Sequence, residues 1–458
     1  MATTISNTVA PDASDKIPES LDICGPLPPY RAITGSVIEY IRPANGTNHN
    51  GPYQFSIPPD NLRYLQTNFL KLSGKIRIVN KDGTNLLDDA DVSPVDFWGQ
   101  MWINHVSVTI SNQLVSDSRS DYGIKTLVQT LLNYDTASAQ CRLKSAGFYG
   151  NEDEPVAWDA TGRKTAWEKV GVRASTSKLK DQFAGSRWNQ FNSELNVDML
   201  RTNREWPNSI DLRLSITRKP DNYFIMADAG VADNFRYEIK DLELQVRKVQ
   251  PNQAVVEANN MAIAKSGAKY QFNRWQQATM PLAVNNKVFN SFTLFRGKIP
   301  SKTIYFFVDE EAHSGNYKRN PTLFKHWTLN SFTQNINGVA SPSRPQKFEW
   351  DDDPDFDAFN DSYANIFDGI GISGMNRGNL LTHDMFKQTR FIMVYDNSPD
   401  GSSFYDASRD KPSTGTVSVD FSFENRLPTN VTLVCYGITE DVVMFDEYRR
   451  LYLNPVEE

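Results

Sequence analysis

Trp102-Ile-Asn-His-Val-Ser-Val-Thr-Ile-Ser-Asn112-Gln-Leu-Val115 reads as an aromatic residue, an alternating strand, an Asn-led turn and a short return strand. Val106, Val108 and Ile110 alternate with Ser107 and Thr109, the pattern of a strand with one buried and one wet face. The same grammar returns 225 residues later at Trp327-Thr-Leu-Asn-Ser-Phe-Thr-Gln-Asn-Ile-Asn337-Gly-Val339, and in both copies the Asn lies ten positions after the Trp. Each copy precedes a candidate helix, Tyr122–Tyr134 in the first half and Phe359–Phe367 in the second. A second echo closes each half. Arg218-Lys-Pro220-Asp-Asn222 precedes Tyr-Phe-Ile-Met, and Arg426-Leu-Pro428-Thr-Asn430, at an offset of 208, precedes Val-Thr-Leu-Val. The apolar positions before the two Arg-x-Pro-x-Asn motifs are one residue out of phase. Repetition in fixed order over this length still implies two copies of one β unit rather than a solenoid, whose period runs from about 20 to 50 residues.

Further strands are expected at Ser36–Ile41, Tyr53–Ile57 and Leu70–Val79, with a turn at Asp82-Gly83, and Ile210 to Ile216 form the strand that ends the first half. Ile239, Leu242, Leu244 and Val246 are read as opening the second half, followed by a short connecting helix at Ala254–Ala264. Strands continue at Ser291–Leu294, Thr303–Val308, Phe391–Tyr395, Val417–Phe423 and Val431–Tyr436. The helix at Tyr122–Tyr134 carries Ile124, Leu127, Val128 and Leu131 on one face, with Asp121 as its N-cap. Residues 136–192 break into a long polar stretch with Trp158, Trp167 and Trp188. A loop this long in a compact domain is functional or belongs to an interface, and aromatics in contact cores favour burial against a partner subunit over a ligand platform. Residues 1–29, with Pro11, Pro18, Pro26, Pro28 and Pro29, read as a flexible arm.

At 458 residues the chain is about twice a large all-β domain. Its hydrophobic share of 39% with 12% aromatics suits packed cores and excludes the disordered class. A net charge of −7 argues against direct, high-affinity nucleic-acid binding, which needs an excess of Lys and Arg. Cys24, Cys141 and Cys435 lack metal-ligand spacing and make a poor disulfide framework, as expected of reduced thiols. The N-terminus does not read as a secretory signal, Ala2 excludes myristoylation, and no run is long and apolar enough for a membrane span. The sequons at Asn45, Asn360 and Asn430 are discounted for want of that route.

An enzyme would need a constellation the sequence does not supply. His49, His105, His313, His326 and His383 have no two-His metal spacing and flank no nucleophile elbow. Asp351-Asp-Asp353-Pro-Asp355-Phe-Asp357 could offer oxygens to a hard cation. Counted as an EF-hand from Asp353, however, it has Ala358 and Ala364 where Gly and Glu belong, leaving a solvated acidic loop or a looser ion or partner site. Glu310-Glu311 and Glu440-Asp441 could form an acid/base couple only if the fold brought them together, and solvated charge is the plainer reading. Gly369-Ile-Gly371-Ile-Ser-Gly374 follows a helix rather than a strand, contrary to a dinucleotide site. No catalytic, cofactor-binding or metal-ligating residue is assigned, and no cofactor is expected.

Many short strands with few helices point to a mainly β fold of two consecutive jelly-roll barrels with short helices in the connecting loops. The expected division is an arm at 1–29, a first roll at 30–230 carrying the 136–192 insertion, and a second roll at 231–458. Two runs in the second half, Val246 to Tyr270 and Ser314-Gly-Asn-Tyr-Lys-Arg-Asn-Pro321 to Trp327, resemble the double jelly-roll major capsid proteins of Maverick/Polinton transposons and adintovirus-like elements. Val79 to Leu86, Pro94 to Trp98 and Thr130 to Tyr134 are similar to the first barrel of the same family. The 136–192 region and the acidic loop near 351 depart from its pattern. The resemblance implies a non-enzymatic, hexon-like homotrimer that tiles an icosahedral shell around DNA, located in the virion after synthesis in the host cytoplasm. Penton and minor capsid proteins would be its other partners. The alternative from another class is a two-barrel carbohydrate-binding or glycan-processing protein, because jelly rolls also serve as lectins.

Overall fold

The computed structural model describes residues 32–46, 51–90, 92–117, 121–150, 176–227, 235–350, 358–373, 375, 377–399, 401 and 413–454. Residues 1–29, His49, Trp158, Trp167 and the acidic run 351–357 lie outside them. In the first half, β1 (Ile33–Ile41), β2 (Tyr53–Ile57), β3 (Tyr64–Asn80), β4 (Ile103–Ile110), β5 (Gln113–Asp117), β6 (Asn189–Glu194), β7 (Leu212–Arg218) and β8 (Phe235–Pro251) build two antiparallel sheets, ordered β1-β8-β3-β6 and β2-β7-β4-β5. In the second half, β9 (Ala268–Leu282), β10 (Val288–Lys298), β11 (Lys302–Asp309), β12 (Leu329–Ile336), β13 (Val339–Ala340), β14 (Met393–Asp396), β15 (Thr414–Phe423) and β16 (Val431–Phe445) build sheets ordered β9-β16-β11-β14 and β10-β15-β12-β13. Numbered from one within each half, the strands follow the same order, 1-8-3-6 facing 2-7-4-5. That is the jelly-roll arrangement, present twice.

The repeated segments occupy matching places. Trp102 precedes β4 and Trp327 precedes β12, and each strand returns through a two-residue turn, since Ile110 pairs with Gln113 and Ile336 with Val339. The turn residues Ser111 and Asn112 (φ 46° and 68°) and Asn337 and Gly338 (φ 53° and 80°) are left-handed, as the tight primed hairpin turn requires. Both Arg-x-Pro-x-Asn motifs lie in the connection between the seventh and eighth strands of their roll. The helices α1 (Tyr122–Asn133) and α3 (Asn360–Gly369) follow the two hairpins, and α2 (Gln253–Ser266) connects β8 to β9. Asp121 caps α1 as expected, accepting from Ile124 N at 3.3 Å. Asn252 caps α2, which ends at Gly267 (φ 68°).

Two expectations are corrected. Ile239, Leu242, Leu244 and Val246 do not open the second half: their strand, β8, pairs with β1 along one edge and β3 along the other, completing the first half's sheet. The expected boundary near 230 therefore cuts one strand too early. The polar stretch 136–192 is also not all loop, because Thr136–Gln140 and Thr176–Phe183 are helical and β6 begins at Asn189. That strand, Asn-Gln-Phe-Asn-Ser-Glu, has Phe191 as its only large apolar residue, so hydrophobic alternation had nothing to report. Phe191 itself is fully buried, packed edge-on against Trp98 at 6.0 Å.

β16 is buried almost throughout: of its fifteen residues all but the half-buried Met444 are buried. Such a strand is covered on both faces. Its odd-numbered Cys435 packs inside the second roll, while Tyr436 reaches back to the first, where its hydroxyl lies 3.5 Å from the Asp121 carbonyl.

Candidate functional site: the seam between the rolls and the exposed strand faces

The seam is built around Asp121. Its Oδ2 accepts from Lys219 Nζ at 2.6 Å and from Tyr223 OH at 2.9 Å, its Oδ1 caps α1, and its backbone N–H donates to Gln277 Oε1 at 2.9 Å. The Lys219 ammonium also sits 3.9 Å over the Tyr223 ring. Gln277 and Tyr436 belong to the second roll, so this buried ion pair is held from both sides. Burial raises the Tyr223 hydroxyl well above its usual pKa, with the Asp121 charge adding to the effect. His313 lies in the same electrostatic neighbourhood. Burial lowers its pKa, and of the nearby charges Asp121 pulls it up while Lys219 pushes it down.

A second ionic contact crosses the seam. Arg390 and Asp96 are both fully buried at 3.9 Å, too far for a direct hydrogen bond. Asp96 Oδ1 accepts from the backbone N–H groups of Phe97 and Tyr149, each at 2.8 Å, which fixes the carboxylate in the first roll. Burial pushes the Arg390 pKa down to about 10 against the pull of Asp96. Apolar contacts accompany these pairs, since Trp206 of the first half packs edge-on against Phe445 (5.4 Å) and Tyr270 (6.3 Å) of the second. Asn222 Nδ2 donates to Gly315 O at 2.8 Å, and Arg449 Nη2 donates to Asn208 Oδ1 at 2.8 Å.

Other faces are left open. Among the described residues β1 pairs only with β8, and it exposes Ile33, Val37, Ile38 and Tyr40. On β10, Val288 and Phe292 are exposed, and α2 buries only Ile263 while Met261 is 70% exposed. Contiguous exposed apolar residues on an unpaired edge strand invite a partner or aggregation.

The residues weighed in the sequence are scattered. His105 Nδ1 bonds Thr217 Oγ1 at 2.8 Å, His326 stacks on Trp350 with 3.7 Å between ring centroids, and His383 Nε2 lies 2.8 Å from Asn360 Oδ1. Among the described residues no three His, Cys, Asp or Glu side chains gather as metal ligands. Glu311 pairs with Arg319 at 3.5 Å, whereas Asp441 pairs with Arg274 at 2.6 Å and Lys298 at 3.0 Å, so the two carboxylate pairs have separate partners. Trp188 lies under two cations, Lys240 at 4.0 Å and Arg77 at 4.6 Å. At Gly369 an added Cβ would come within 2.7 Å of Val394 Cγ1, a packing reason for that glycine. Sequence reasoning missed the Asp96–Arg390 contact and the pairing of Asp121 with Lys219, whose partners are separated by long stretches of chain.

No protein-family profile and no curated protein matches the chain. Solved structures do match. A chain of the Sputnik virophage, solved by cryo-EM, aligns with a TM-score of 0.63 at 10% identity, covering 99% of this chain and 95% of that one. The mavirus major capsid protein aligns with a TM-score of 0.53 at 12% identity, covering 98% and 96%. The Faustovirus major capsid protein aligns with a TM-score of 0.54 at 10% identity, covering 93% and 92%. With its two sheet pairs of identical strand order, the chain has the double jelly-roll fold, shared nearly end to end with these viral proteins.

Proposed function

We propose that the chain is a structural major capsid protein whose trimer forms a pseudo-hexagonal capsomer of an icosahedral shell. The observation that carries this reading is the doubling of one roll within a single rigidly seamed chain. Three such chains about a threefold axis present six similar units, which suits a hexagonal lattice, and closed symmetry removes the open edges that β1 would otherwise leave. The exposed apolar residues of β1 and β10 are the surfaces assigned to subunit contact, supported by their lack of cover within the chain. The first roll is taken to run through β8 and the second from β9, with α2 between them. Residues 1–29 are assigned to contacts between capsomers, and the partners include penton and minor capsid proteins. The finer placement among Maverick/Polinton and adintovirus-like elements rests on the sequence resemblance. The role is assembly rather than turnover.

Light scattering on the purified full chain tests this reading: a mass near three times 51.9 kDa is expected, with shells visible by electron microscopy. A monomer that binds saccharide would instead make it a carbohydrate-binding protein.

A further inference from the structure

A cleft of about 960 Å³ opens between the two rolls and carries the opposite charge balance to the chain. The whole sequence has 48 Lys and Arg against 55 Asp and Glu, whereas the cleft is lined by Arg204, Lys269, Lys302 and Arg377, and by Arg201 paired with Glu194 at 3.5 Å, against the single lining carboxylate of Asp198. That carboxylate is already engaged, since Oδ1 pairs with Lys125 and Oδ2 accepts from Trp275 N at 2.9 Å. Arg204 and Arg377 have no carboxylate within ion-pair distance among the described residues. Arg204 Nη1 donates to the Lys269 carbonyl at 3.4 Å and Arg377 Nη2 to the Asn133 carbonyl at 3.2 Å, so each exposed guanidinium keeps further donors for the cleft. The amides of Asn203 and Asn273 line the same space.

We propose that this inter-roll cleft binds a phosphate-rich polyanion. Phosphates bring acceptors only, and forked guanidinium donors match them in pairs. An extended acidic peptide fits less well, because the backbone edge of β9 that it would pair with is taken at both ends, by Asp198 on Trp275 N and by Arg204 on the Lys269 carbonyl. The chain's overall negative charge keeps such binding weak, and the cation–phosphate contacts make it salt-dependent. Phosphodiester and inorganic polyphosphate share this chemistry. The inference stands apart from the assembly reading, which light scattering tests on its own.

The experiment is fluorescence anisotropy on the full chain with a labelled single-stranded oligodeoxynucleotide, with unlabelled inorganic polyphosphate and poly-glutamate as competitors, across a salt series. Binding of the oligonucleotide, or of polyphosphate alone by calorimetry, supports the cleft and tells the two sources apart. The double variant Arg204→Glu/Arg377→Glu should weaken binding at least about tenfold and flatten the log–log salt slope by about 1.4, that is about 0.7 for each lost contact to a single strand. Lys81→Glu, an exposed cation away from the cleft, should change neither. If the charge-reversed variant fails to fold, Arg204→Gln/Arg377→Gln should weaken binding in the same direction. Unchanged binding by the folded variants, no binding by either phosphate ligand, or competition by poly-glutamate equal to that of polyphosphate would each overturn the proposal.

Discussion

Lys219 and Asp121 are both more than nine-tenths buried, so their pairing replaces the water each has lost. Lys219→Met leaves the Asp121 carboxylate buried with only the Tyr223 hydroxyl and the helix cap to satisfy it. The expected loss is about 3–5 kcal/mol in urea unfolding, with Asp121→Asn added to Lys219→Met recovering part of it. His313 has the opposite pH signature to a paired histidine. Burial holds its folded pKa below 6.5, so as pH falls through that value the unfolded chain takes up the proton first and stability is lost. The melting temperature should fall between about pH 7 and pH 5, and His313→Gln should make that fall shallower in a thermal-shift series. At this scale the sequence was only half legible. Asp121 could be read as a cap from its position before an amphipathic helix, but its tie to Gln277 spans 156 positions, and no local pattern encodes a contact of that length.

The ten-residue spacing from Trp to Asn is the same in both copies, yet the two asparagines do not hold equivalent places. Trp327 and Thr328 both take left-handed backbone (φ 50° and 53°), which delays β12 by one residue relative to β4, so Asn337 is the first turn residue and Asn112 the second. The repeat was legible because strands of one roll demand alternation and tight turns demand residues that tolerate positive φ. The element that the pattern hides, β6, is polar throughout except for Phe191, and the place of β8 in the first half is not legible because alternation reveals a strand without naming its neighbour. The exposed face of β1 makes its own prediction. Val37→Lys with Tyr40→Lys should leave the monomer's melting temperature within about 1 °C, since both side chains are already in water, while lowering the mass seen by light scattering. A trimer of unchanged stability in that variant would remove β1 from the contact surface.

The whole molecule joins two rolls through buried ion pairs, hydrogen bonds and the aromatic packing of Trp206, so neither roll ends at its own surface. Calorimetry of the full chain should therefore record one cooperative transition, and two resolved peaks would mean that the seam is too weak to couple the halves. The long burial of β16 gives this arrangement a direction in time. At Tyr436 its even-numbered face meets the first roll, so the second roll completes that contact only when a finished neighbour is already waiting. A ribosome makes the halves in that order, because residues 33–251 are synthesised before β9. A circular permutant translated with the second roll first would expose the seam face of β16 during synthesis, and its yield of soluble protein would register that exposure.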